Sequence, residues 1–101
     1  MTRLEIQDAL EAIDESLHVY FQPPESVKIK YPAIVYKLEN VVQRYANDKT
    51  YSKDRAYMLR LIHKDPDNDI VDKLVWAFPK IRFDRSYISD NLYHYVYVLY
   101  E

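Results

Sequence analysis

Asp54 to His63, DRAYMLRLIH, constrains the fold more than any other stretch of this chain, because both alternating sets of its side chains are largely apolar. Tyr57, Leu59 and Leu61 point one way, and Ala56, Met58 and Ile62 point the other, with only Arg60 interrupting the second set. A strand exposes successive residues on opposite faces, so this pattern predicts a central strand covered on both sides. An amphipathic helix is the competing reading, since Tyr57, Arg60, Leu61 and Lys64 also recur at spacings of three and four. In that reading Arg60 and Lys64 share the apolar stripe, which weakens it.

The segments on either side supply partners for such a strand. Thr2 followed by Glu5 is a capping box, with Met1 placed to pack on Ile6 as the hydrophobic staple. Ile6, Ala9, Leu10, Ile13 and Leu17 continue at helical spacing, so a helix is predicted from Thr2 to near Val19. Pro23-Pro24 cannot continue it and forces an extended path from Gln22 to Ser26. Val27 to Leu38 alternates around Pro32, with Ala33 to Leu38 its firm part, and Val41 to Tyr45 reads as a weaker second strand. Ala46-Asn47-Asp48-Lys49 then turns the chain into the central strand as a hairpin.

A second helix is predicted from Asp65 as N-cap and Pro66 at its first position, with Ile70, Val71, Leu74, Val75 and Phe78 buried and Pro79 as the stop. Lys80 to Phe83 reads as a short extended piece, Asp84 to Asn91 as a polar connection, and Leu92 to Tyr100 as a terminal strand apolar or aromatic on both faces. The expected fold is therefore one α+β domain over residues 1–101. Its order is α-β-β-β-α-β, with two helices on a mainly antiparallel sheet of about four strands. Leu59 and Val75 are both expected in its single core.

Composition narrows the function classes. With 101 residues, 49% of them hydrophobic and 30% charged, the chain can build one modest core without metal or disulfide support. There is no cysteine, so disulfides, thiolate zinc sites and thiol nucleophiles are excluded. There is no glycine either, which removes the usual phosphate-cradling loop. No basic segment leads into an apolar run at the N-terminus, and no stretch approaches membrane-spanning length; the expectation is a cytosolic origin and no membrane partner. Eleven tyrosines, four of them in the last nine residues, suit strands and assembly surfaces alike. Charge is uneven. Residues 1–26 hold one basic and six acidic side chains, while the remainder holds thirteen basic and ten acidic. Such opposed surfaces set orientation when subunits stack.

Catalytic constellations are not visible. Asp65, Asp67 and Asp69 have calcium-loop spacing, but the loop's sixth and twelfth positions fall on Ile70 and Trp76 in place of glycine and glutamate. His18, His63 and His94 lack the short spacing of paired metal ligands, and the five serines sit in no nucleophile elbow. The expectation is a chain that is not an enzyme and carries no cofactor or metal. Lys49, Lys53, Arg55, Arg60, Lys80, Arg82 and Arg85 interleave with Tyr51, Tyr57 and Tyr87, a pairing that single-stranded nucleic acids favour. The acidic overall balance speaks against a specific nucleic-acid partner.

Several strings also carry a family likeness. Tyr31-Pro32-Ala33-Ile34-Val35-Tyr36, then Arg44-Tyr45-Ala46-Asn47-Asp48, Asp65-Pro66-Asp67, Phe83-Asp84-Arg85, and Asp90-Asn91-Leu92 ahead of an aromatic strand resemble the small tail terminator, or tail completion, proteins of long-tailed bacteriophages. The resemblance spans nearly the whole chain, and the missing glycines depart from it. It implies a structural virion protein, assembled in the host cytoplasm and lodged at the head-proximal end of the tail. Such a protein forms a ring, usually of six copies, that stops growth of the tail tube and docks the head. The implied partners are further copies of the chain, the tail tube protein and the head-neck connector proteins. A head-closure or adaptor component of the same neck is the near alternative, and a small single-stranded nucleic-acid-binding module is the alternative from another class. In a ring each subunit offers two different surfaces. The expected contributors are the hairpin Val41 to Tyr51, through Arg44, Tyr45, Asn47, Asp48 and Tyr51, and the segment Asp84 to Tyr97, through Arg85, Tyr87 and Tyr95.

Overall fold

A computed structural model describes residues 2–46 and 49–100, residues 42–46 and 49–54 by their backbone alone. Two helices, α1 (Arg3–Glu11) and α2 (Ile70–Ala77), lie on one face of a five-stranded mixed sheet. Its strands are β1 (His18–Phe21), β2 (Ala33–Ala46), β3 (Lys49–His63), β4 (Ile81–Ser89) and β5 (Leu92–Tyr100), in the spatial order β1-β2-β3-β5-β4. The apolar stretch at 54–63 falls in β3, the central strand, as expected. Every pairing is antiparallel except β1 with β2, which is parallel.

The core lies between the helices and one set of strand side chains. Tyr57, Leu59 and Leu61 of β3 join Ile34 and Tyr36 of β2 and Tyr97 and Leu99 of β5 beneath Ile6 and Leu10 of α1 and Ile70 and Leu74 of α2. The other face is only partly covered: Ala56, Ile62 and Val96 are buried there, but Met58 is half-buried and Arg60 is exposed. The expectation of full cover on both sides of β3 holds for the helix side alone. Polar links fasten α1 to the sheet. The Tyr36 hydroxyl donates to Gln7 Oε1, and the Arg3 guanidinium stands 4.6 Å over the Phe21 ring.

Four boundaries depart from the sequence reading. Helix α1 ends at Glu11 because the Asp14 carboxylate accepts both the amide and the hydroxyl of Ser16, at 2.9 and 2.7 Å, and this local turn outcompetes another helical turn. Leu17 is still buried, and His18 to Phe21, expected at the helix end, becomes edge strand β1. Thr2 caps α1 as predicted, its hydroxyl accepting the Glu5 amide at 3.2 Å; Met1 lies outside the described residues. The two strands expected at 33–38 and 41–45 are one, since the register shift between Leu38 and Asn40 marks a bulge at Glu39 and not a break.

Helix α2 begins at Ile70, with Asp69 in the N-cap position four residues later than predicted and without a side-chain capping hydrogen bond. Asp65 instead closes an Asx turn by accepting the Asp67 amide at 2.9 Å, while Asn68 Oδ1 accepts the Val71 amide at 3.3 Å. Ile70, Leu74 and Phe78 point inward at four-residue steps. Val75, expected in that stripe, falls on its flank and is 43% exposed, and Trp76 beside it is 87% exposed. Finally, the polar segment 84–91 is largely strand. β4 runs to Ser89 with a bulge at Asp84, and Asp90 and Asn91 turn at φ values of 52° and 62°. With β1 and β4 added, the sheet has five strands and is mixed, where about four mainly antiparallel strands were expected.

Candidate functional site

Two features leave the compact body of the sheet. The first is an arm. β5 pairs with β3 only from Ala56 to His63, and β1 pairs with β2 only from Ala33 to Tyr36. Beyond those points β2 and β3 continue with each other alone, so Val41–Ala46 and Lys49–Arg55 form a two-stranded ribbon with both outer edges unpaired in the sheet. Six residues of strand reach about 20 Å at roughly 3.3 Å each. The molecule is correspondingly long, 51 × 31 × 24 Å. Arg44 sits opposite Ser52 on this ribbon and Tyr45 opposite Thr50, with Tyr51 between them in sequence. Asn47 and Asp48, with the turn predicted through them, lie outside the described residues.

The second feature is a groove on the helix-free face. Parallel pairing of β1 with β2 obliges the chain to cross over, and the connection from Gln22 to Pro32 passes across this face, stiffened by Pro23 and Pro24. Beneath and beside it a groove of about 840 Å³ opens. Val35, Met58, Ile62 and Val96 form its floor, Pro23, Pro24 and Tyr31 one wall, and Arg85 and Tyr87 the other. Arg60 rises from the floor, facing Val35 and Val96 in register. The Tyr87 ring stacks on His94 at 4.7 Å and 4°. His94 Nδ1 is buried there without a hydrogen-bond partner. Burial lowers the proton affinity of the imidazole, with Arg60 adding to the effect against the Ser89 carbonyl and Asp90.

The predicted interface residues therefore separate into three places. Arg44, Tyr45 and Tyr51 belong to the arm. Arg85 and Tyr87 flank the groove toward the opposite end of the sheet, where Tyr87 faces His94, itself paired with Ile62. Tyr95 turns to the helix side, where it is half-buried against the core, and burial raises its hydroxyl pKa. Arg85 also pairs with its neighbour Asp84, and Lys37 at the groove margin pairs with Glu39 at 3.5 Å. Such exposed pairs hold their partners weakly. Sequence reasoning missed Tyr31, Arg60 and His94 as neighbours in one groove. Pro23-Pro24 announced an extended segment, but the face it covers depends on the unforeseen parallel strand.

Among the described residues, no group of three or more metal-ligating side chains converges, and no helix is long and apolar enough to cross a membrane. Asp69 pairs with Lys73 at 3.2 Å, and Asp65 is occupied by its turn, so the acidic run at 65–69 serves the start of α2. No protein-family model matches the chain, and a search of curated proteins returns no match.

Proposed function

We infer that the chain is a structural subunit of the tail-terminator type, working as a ring at the head-proximal end of a phage tail tube, where it stops growth of the tube and offers a docking surface to the head. The observation that carries this reading is the arm. A two-stranded ribbon is marginal on its own in water, and a ribbon projecting from a packed sheet offers unpaired edges that neighbouring chains can cover. The arm projects from one end of the sheet and the groove opens on its helix-free face, which suits head-to-tail contacts in which each copy presents two different surfaces. The tyrosines and arginines on both features are residue types enriched at interface anchors. A head-closure or adaptor ring of the same neck would use the same contacts, in a different position.

Arg60, Arg85, Tyr31 and Tyr87 around the groove favour one second reading, a single-stranded nucleic-acid module. The two readings separate in one experiment on the purified chain. Light scattering and electron microscopy, with and without purified tail tubes, are expected to find discrete rings and rings seated on one end of each tube. A chain that stays monomeric in both conditions, yet binds oligonucleotides with an affinity falling steeply with salt, would replace the ring reading with the second one.

A further inference from the structure

Trp76 is the only tryptophan of the chain, and it stands 87% exposed on the outer side of α2, with Val75 beside it 43% exposed. At that exposure Trp76 adds little to the core, and its helix is anchored by Ile70, Leu74 and Phe78 on the opposite side. We propose that Trp76 is a knob that seats in the groove of a second copy of this chain, between the Pro23-Pro24 wall and Tyr87, with Asp72 brought against Arg60. This inference rests on the ring reading and names the contact that closes the ring.

Three properties fit the knob to the groove. Chemistry is the first: proline rings and two tyrosines stand in the walls, a thioether, an isoleucine and valines make the floor, and a guanidinium stands among them, all groups that pack well on an indole. Charge is the second. Asp72 lies one turn before Trp76 and is exposed, its neighbour Lys73 being paired with Asp69, so an acid travels with the indole. Lys37, Arg60 and Arg85 line the groove against Glu25, Lys37 and Arg85 each beside an acid of their own strand. The arm cannot play this part on charge grounds, because residues 41–55 carry four basic side chains against two acids. Placement is the third. The knob lies on the helix-bearing face and the groove on the other, so one copy cannot satisfy both, and a knob on one face entering a hole on another is the heterologous contact that generates rings.

A single tryptophan makes the contact directly readable. On assembly of the wild-type chain, Trp76 emission is expected to shift to the blue and to become protected from a soluble quencher. Trp76→Ala, at an exposed position, is expected to leave thermal unfolding unchanged and to weaken self-association at least about 30-fold by light scattering. Arg60→Glu should weaken association and abolish the emission shift, and adding Asp72→Arg to Arg60→Glu should restore both. Rings that assemble with Trp76 still quencher-accessible, or normal rings from Trp76→Ala, overturn the inference and leave the ring reading standing. An emission shift produced only by added tail tubes, or only by a single-stranded oligonucleotide, also overturns it by naming another occupant. A wild-type chain that is monomeric under every condition removes the ring reading, and the inference with it.

Discussion

Leu59 and Val75 belong to the same apolar vocabulary, yet the fold treats them differently. Leu59 is wholly buried at the middle of β3, so Leu59→Ala is expected to lower unfolding free energy by about 2 to 4 kcal/mol in chemical denaturation. Val75→Ala removes methyl groups that already meet water, and about 0.5 kcal/mol or less is expected. A helical stripe read from sequence admits every apolar residue within reach of the core. The late cap at Asp69 leaves room for a narrower one, and nothing in the letters at 65–69 separates a cap from an Asx turn. Tyr97 makes a second test. Its hydroxyl donates to the Val71 carbonyl at 3.0 Å, and burial, with Asp72 and Tyr95 nearby, pushes its pKa well above the ordinary tyrosine value. The folded chain therefore keeps a proton that the unfolded chain releases. This contribution to stability is complete below about pH 10 and is lost as pH rises past it. Tyr97→Phe is expected to flatten the alkaline fall in stability measured by thermal unfolding from pH 8 to 11.

Among the elements, β3 and β5 were legible because burial on the helix side imprints alternation on their sequences. β4 was not. It is an edge strand, exposed along nearly its whole length, so no packing demand selects apolar residues at every second position, and the bulge at Asp84 shifts the phase midway. β1 was hidden for another reason. Ile13 and Leu17 continue the spacing of α1 past its end, and only the Asp14–Ser16 turn, a purely local competition, says where the helix stops. The β4–β5 turn offers a test at this scale. Asn91 holds φ at 62° in a chain with no glycine to spend there. Asn91→Gly is expected to raise the unfolding temperature slightly, while Asn91→Val should cost about 1 to 2 kcal/mol, as a β-branched side chain resists the left-handed region. Of the candidate surfaces, the arm was half legible, as a hairpin over Val41 to Tyr51 whose second strand runs on alone to Arg55. The groove was not, because it is made by a crossover whose face no local pattern records.

Over the whole molecule, two helices weight one face of the sheet while a crossover strap, a groove and a projecting arm give the rest of its surface distinct ends and sides. On the ring reading, two of these surfaces would meet head to tail between neighbouring copies. The double variant Arg44→Glu with Tyr45→Ser is expected to yield a folded monomer, with wild-type circular dichroism, that neither forms rings nor completes tails. Normal rings from that variant would take the arm out of the subunit contact. The arm also carries a clock. In an isolated antiparallel ribbon the amides of alternate residues point inward to the partner strand, and those between them point out to water. Transferred to heavy water, a free subunit should deuterate the outward set of arm amides almost at once and the inward set later. Any neighbour that lays its backbone along the ribbon would erase that two-beat pattern. On the ring reading, the alternation of label along residues 41–46 and 49–55 would time the moment at which a subunit acquires its neighbour.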